Sequence, residues 1–318
     1  MSACEAGAAS RVPSAAHASS AMTYVALGDS YASGQGNPGP TAHQWVDNFG
    51  VPWSVDDGCH RSSVAYPMLV NTFLRSDKII PSLSFNFLAC SGATTGDLWN
   101  SGLPKRTRER LQLGWVTALA NARIVTVTVG GDDLNFANVF ANCIVLGPHT
   151  LHQCNSHSND GWIADLHKNI VNLQAKLVAT YEQIQSAAPN AQLYVVGYPD
   201  ILPPHPSTLQ QHVTCPLKTL LPTDGIGYLA YNEQVLNTVV ANAAATVGAH
   251  YVNLNGASVT SFIGHSACAA NPWINGIKIT LNSHVLDTSY SFHPNRAGQQ
   301  AMANLVEQAI QKSSIAPT

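Results

Sequence analysis

The strongest limit on this fold comes from a series of short runs rich in β-branched and aromatic residues, separated by helix-length segments. Thr23–Leu27 (TYVAL) runs straight into Gly28-Asp29-Ser30, and Leu83–Leu88 forms a second run. Arg123–Val129 (RIVTVTV) ends in Gly130-Gly131, Gln192–Val196 (QLYVV) in Gly197, and His250–Leu254 (HYVNL) in Asn255-Gly256. Near-continuous apolar strands of this kind suit a parallel sheet buried on both faces. Between them, 162–187 carries Ile163, Leu166, Ile170, Leu173, Leu177 and Ile184 at helical spacing and stops at Pro189. The pattern returns over 228–247 through Leu229, Val235, Leu236 and Val239, and over 296–312 through Ala297, Met302, Leu305 and Ile310. Strands alternating with helices predict one doubly wound α/β domain over residues 22–318.

Four stretches break the alternation: 35–62, 141–160, 199–223 and 256–292, all rich in Pro, Gly, Asn and His. Irregular segments this long in a compact domain are usually functional or cross-linked. They are expected to build a substrate cleft. Of the 7 cysteines, Cys4 falls in the Ala/Ser-rich leader 1–21, and the rest (Cys59, Cys90, Cys143, Cys154, Cys215 and Cys268) fall in or beside these stretches. With no Cys-x-x-Cys pair, a zinc ribbon is ruled out and an oxidising compartment is favoured. Spacing alone does not choose the pairing. Ala16-His17-Ala18 has the small-x-small form of a signal-peptide cleavage site, and a plain disordered leader is the alternative.

Only 10% of the 318 residues are charged, with a net charge of −3. That balance lacks the basic footprint of a nucleic-acid-binding surface. No apolar run is long enough to span a bilayer.

Chemistry concentrates where the strands end, which is where open α/β sheets place their sites. Gly28-Asp29-Ser30, Ser91-Gly92 and Gly130-Gly131-Asp132-Asp133 follow strands, and Ser291-Phe292-His293-Pro294-Asn295 precedes the last helix. A serine nucleophile needs a base within hydrogen-bond reach and donors for the oxyanion it creates. Ser30 can supply the first, His293 the second, and the amides of Ser30 and Gly92 the third. Singly, each has a plainer reading. Ser30 could be a helix N-cap, His293 a loop residue, and Asp132 and Asp133 the cap of a helix beginning near Leu134.

Taken together and in order, these segments resemble the SGNH (GDSL) hydrolase superfamily, and within it the secreted lipases and esterases of actinobacteria. Gly28-Asp29-Ser30-Tyr31 is similar to its first block, and Ala89-Cys90-Ser91-Gly92-Ala93-Thr94-Thr95 to its second. Gly130-Gly131-Asp132-Asp133 is similar to the third, and Ser291-Phe292-His293-Pro294-Asn295 to the fifth. The resemblance implies a three-layer α/β/α sandwich around a five-stranded parallel, flavodoxin-like sheet. It also implies hydrolysis of acyl or lipid esters through an acyl-enzyme on Ser30, with His293 as general base. The pairing implied is sequential: Cys59–Cys90, Cys143–Cys154 and Cys215–Cys268. A small-molecule or lipid ester is the implied partner, with transient contact at a lipid interface, export from the cell and a monomeric state. No metal or other cofactor is needed.

Two departures from the family pattern stand out. The third block normally reads Gly-x-Asn-Asp, its Asn donating to the oxyanion, but the position here is Asp132. An ionised carboxylate cannot donate, and losing one donor typically costs about 3–4 kcal/mol of barrier. Asp132 is then either held protonated, or turned aside, or the mark of a weakened site that only binds ligands. The usual triad acid, three residues before the histidine, is replaced by Tyr290, so its backbone carbonyl is expected to orient the imidazole in a Ser–His dyad, with Asp287 as the fallback. Carbohydrate O-deacetylation is the remaining alternative within esterases.

Three decoys carry less weight. Gly34-Gln-Gly36-Asn-Pro-Gly39 matches a nucleotide-binding fingerprint but contains Pro38 where a helix should begin. Gly264-His265-Ser266-Ala267-Cys268 lacks the last glycine of a nucleophile elbow. His149, His152 and His157 read as loop surface.

Overall fold

Five of the apolar runs pair as parallel strands: β1 (Thr23–Gly28), β2 (Ser84–Phe87), β3 (Ala122–Thr128), β4 (Gln192–Val196) and β5 (His250–Val252). Their order across the sheet is β2-β1-β3-β4-β5. This is the flavodoxin-like, doubly wound arrangement, whose switch point lies between β1 and β3. The computed structural model describes residues 22–37, 45–53, 57–76, 80, 82–99, 111–143, 154, 165–203, 209–259, 261–278, 280–282, 285–287 and 290–313. The leader, Cys4, Trp162 and the three loop histidines lie outside the described residues.

Register keeps every strand pointing the same way. Val25 sits between Asn86 of β2 and Val125 of β3, and Val127 pairs with Val195 of β4. β1 is buried along its whole length, as expected of a central strand with helices on both faces. Each large apolar side chain removed from water here is worth about 1.5–3 kcal/mol, and the core runs unbroken from Tyr24 to Ile310. The helices Tyr66–Ser76 and Arg296–Lys312 pack on one another, and Leu166–Ala187 packs on Thr223–Thr246. Arg296–Lys312 is capped by Asn295, whose side chain accepts from the amides of Ala297 and Gly298.

Three of the stretches expected to be irregular contain regular structure. A helix spans Leu209–Thr219 despite Pro216 within it. Small antiparallel pairs join Trp45–Val46 to Pro52–Trp53 and Thr280–Asn282 to Val285–Asp287. The helix expected from residue 228 begins five residues earlier, at Thr223, following Pro222. That start fits proline chemistry, because the first turn needs no amide from its cap. The cysteines form the three sequential disulfides Cys59–Cys90, Cys143–Cys154 and Cys215–Cys268.

Candidate active site

β1 ends in a turn that only glycine can start. Gly28 has φ +129°, and a Cβ there would lie 2.3 Å from the Thr128 carbonyl oxygen. Its amide and carbonyl are both held by the buried Gln112 side chain, each at 2.8 Å. The chain then enters a one-turn helix, Ser30–Ser33, whose N-cap is Asp29 and not Ser30. Asp29 accepts from the Tyr31 amide at 2.9 Å, which frees the Ser30 hydroxyl for other contacts. The bland cap reading therefore belongs to the neighbouring residue.

Ser30 and His293 are 263 residues apart in sequence, yet Ser30 Oγ lies 2.8 Å from His293 Nε2. The loop bearing His293 approaches so closely that a Cβ on Gly36 would sit 2.7 Å from the His293 Cβ. Gly36 has φ +95°, so glycine is required twice over. Asn275 pins the same loop from outside: its amide donates to the His293 carbonyl at 2.9 Å, and its carbonyl accepts from the Phe292 amide at 3.1 Å. Tyr31 donates to the Phe292 carbonyl at 2.8 Å, and its ring sits 5.0 Å from the imidazole.

The second ring nitrogen departs from the sequence expectation by one residue. His293 Nδ1 lies 2.9 Å from the carbonyl oxygen of Ser291, not that of Tyr290. The Tyr290 carbonyl instead accepts from Asn275 Nδ2 at 3.4 Å. The physical reason is Phe292, a non-glycine residue in the left-handed region at φ 60°, which bends the chain between acceptor and ring. Asp287 ends the strand Val285–Asp287, paired with Thr280. Burial pushes the His293 imidazole down to about 4 from its ordinary 6.5, the bond to Ser291 opposes this, and His60 adds to it. A carbonyl acceptor fixes the tautomer with the proton on Nδ1 and leaves Nε2 free to accept from Ser30.

On the other side of Ser30 stands the second block. The Cys59–Cys90 disulfide ties it to the loop before Tyr66, and the Ser91 amide donates to the Cys59 carbonyl at 3.1 Å. Buried Arg61 donates to the Ala89 carbonyl at 3.2 Å and pairs with Asp57. Ser91 Oγ bonds to Gln35 Oε1. Gly92 adopts φ +78°, and a Cβ there would meet nothing within 4 Å, so it borders open space. Among the described residues, neither the Ser30 nor the Gly92 amide has an acceptor.

The third block supplies carboxylates. Asp133 accepts from the Thr95 amide at 2.8 Å and the Thr95 hydroxyl at 2.7 Å, so it binds this block to the second. Burial pushes its carboxyl up, while the Thr95 bonds and Lys176 work the other way. Asp132 opens the short turn Asp132–Leu134 and faces a cavity of about 820 Å³, shared with Thr94, Thr95, Trp99 and Lys176. Sequence reasoning missed Gln112, Gln35, Asn275 and Tyr198. Gln112, Asn275 and Tyr198 have no motif around them, Gln35 sits inside the Gly34–Gly39 decoy, and only their burial or bonding in the folded chain exposes them.

Comparison with known proteins decides the family. The model of the GDSL-like lipase/acylhydrolase family matches residues 26–301. The chain belongs to this family of carboxylic ester hydrolases. It is 30% identical to Lipase 1 of Streptomyces coelicolor over 286 residues, covering 90% of this chain and 85% of that protein. Among solved structures it is similar to phospholipase A1 from Streptomyces albidoflavus NA297, with TM-score 0.63 and 26% identity over 91% of this chain and all of that one. The extracellular lipase of Streptomyces rimosus matches with TM-score 0.61 and 28% identity, covering 91% of this chain and 100% of the other.

Proposed function

We propose that this family member is a secreted serine esterase acting on acyl or lipid esters through a Ser–His dyad. The observation that carries the reading is the 2.8 Å contact between Ser30 Oγ and a largely buried imidazole kept neutral. Ser30 Oγ attacks the ester carbonyl as its proton passes to His293 Nε2. The oxyanion is received by the amides of Ser30 and Gly92. Collapse expels the alcohol, which takes the proton from His293. Water, deprotonated by the same nitrogen, then clears the acyl group from Ser30. The Ser291 carbonyl orients the ring and stabilises the Nδ1 proton throughout.

Asp132 stands third in this hole. Buried Asp29 lies close enough for their charges to interact, and two crowded carboxylates favour one being neutral. A neutral Asp132 donates to the oxyanion as an amide would. The cavity beside it, with Thr94, Thr95 and Lys176, suits the polar part of an ester. Lipid or long acyl substrates are supported by the names of the relatives, and secretion by three disulfides and an extracellular relative. A silent ligand-binding role is disfavoured by the Ser30–His293 contact. No described helix is long and apolar enough to cross a membrane.

The test is a panel of p-nitrophenyl acyl esters, phosphatidylcholine and acetylated xylan, run against the wild type and Ser30→Ala. Ester turnover lost in Ser30→Ala is expected. Wild-type inertness on every ester, or turnover surviving in Ser30→Ala, would refute the reading.

A further inference from the structure

Tyr198 follows β4, and no step above uses it. Its phenol is 3% exposed and bonded on two sides. Tyr198 Oη donates to Asp29 Oδ2 at 2.6 Å and accepts from the Gly131 amide at 2.8 Å. The directions are fixed by chemistry: an amide can only donate, so the single phenolic proton goes to Asp29. Asp29 also receives the amides of Tyr31 and Ala32. Every polar contact to this carboxyl among the described residues is thus a donor, and these bonds oppose burial and Asp132, which together still hold it well above the usual carboxylate range.

Tyr198 is itself anchored. Its amide donates to Asn237 Oδ1 at 2.8 Å, and its carbonyl accepts from Asn237 Nδ2 and Asn255 Nδ2, each at 2.9 Å. Its ring meets Tyr31 edge-on with centroids 5.2 Å apart. Asp29 immediately precedes Ser30, and Gly131 immediately precedes Asp132. One hydroxyl therefore stands a single residue from the nucleophile and a single residue from the third oxyanion position.

We propose that Tyr198 is a positioning residue for ester hydrolysis, its hydroxyl setting the nucleophile turn and the oxyanion block in register through Asp29 and Gly131. The proposal rests on the reading of Ser30 given above. A displacement on the order of 1 Å between such groups can cost about 100-fold in rate. The titratable groups interacting with Asp29 are Tyr31 on its own turn, Asp132 after β3, Tyr198 after β4, Tyr66 on Tyr66–Ser76 and Tyr181 on Leu166–Ala187. The phenols are all pushed upward and stay neutral, so Asp132 is the one other carboxyl in this group. Without the phenolic donor, Asp29 takes up a proton at higher pH.

The experiment measures p-nitrophenyl butyrate hydrolysis from pH 4 to 9 for the wild type, Tyr198→Phe, Asp29→Asn, the double variant and Tyr181→Phe. Tyr181 is the control, a buried phenol whose hydroxyl finds no partner among the described residues. Tyr198→Phe is expected to lower kcat by about 10–100-fold with KM within about twofold, and to move the acid limb of kcat upward. Tyr181→Phe is expected to leave both unchanged. In the Asp29→Asn background, Tyr198→Phe should change kcat by less than about threefold, because the two act as one unit. A wild-type kcat and acid limb in Tyr198→Phe, or an undiminished effect in the Asp29→Asn background, overturns the proposal. Should Tyr198→Phe fail to fold, as judged by circular dichroism, Asp29→Asn alone decides: kcat must fall with KM kept, and wild-type kcat overturns the proposal. Fluorophosphonate labelling of the wild type separates the two levels. An unlabelled, inactive wild type refutes the esterase reading and this proposal with it, while an active wild type with an unaffected Tyr198→Phe refutes only the role of Tyr198.

Discussion

The two sides of Ser30 are built from different chemistry. The base side is built of carbonyls: the Ser291 carbonyl, the Phe292 carbonyl and the Asn275 backbone hold His293 and its loop. The oxyanion side is acidic: Asp29, Asp132 and Asp133 lie within or beside it, with Lys176 facing Asp133. A carboxylate beside the imidazole would raise its proton affinity, and a carbonyl raises it less. Burial therefore wins on the base side, and His293 stays neutral far below the usual histidine range. On the acidic side the crowding of carboxylates keeps protons bound longer. On the proposed reading, the site separates a base that stays neutral down to about pH 4 from an oxyanion wall that depends on protons.

The largest effect that sharpens this contrast comes from removing the pair itself. Ser30→Ala or His293→Ala is expected to lower kcat by about 10⁴–10⁶-fold, and the double variant by little more, since the two act as a unit. Kinetics on the three variants check this. Asp133→Ala comes next. It strands the Thr95 amide and hydroxyl, and should cost about 2–4 kcal/mol of stability together with about 10–100-fold in kcat. Thermal melting alongside kinetics separates the two losses. Asp132→Asn replaces a proton-dependent donor by a permanent one. Turnover at neutral pH should rise, by up to about tenfold, with the alkaline side of the profile flattened. A large loss would show that the carboxylate has its own role and break the account of the acidic side. The smallest effect belongs to Asp287→Ala, expected to change kcat by less than about threefold. A thousandfold drop with folding intact would restore a triad and erase the contrast.

Much of the fold was legible because apolar β-branched runs announce strands wherever they fall. Gln192–Val196 is a strand with the bounds its composition suggests, and Arg296–Lys312 is a helix over the span its apolar spacing marks. The helix Leu209–Thr219 was hidden because Pro216 and a polar sequence argue locally against it, while Cys215, buried and bonded to Cys268, holds it in place. At the site, Ser30, His293 and Gly92 stood out because they follow or precede sheet and helix ends in a known order. The base's acceptor was misplaced by one residue, since nothing in the letters Ser-Phe-His tells of a left-handed Phe292. Gln112 and Tyr198 were invisible for a related reason: their partners lie 84 and 169 residues away.

The central claim is that Ser30 is activated by a half-buried histidine whose other ring nitrogen faces the Ser291 carbonyl in place of a carboxylate. The most direct measurement is the rate at which a fluorophosphonate labels Ser30 as a function of pH, read by mass spectrometry of the labelled peptide. Protonated His293 cannot accept from Ser30, so labelling should be constant from pH 8 down to pH 5 and fall away as pH drops through about 4. A half-maximal rate near 6.5, or label on any residue other than Ser30, would contradict it.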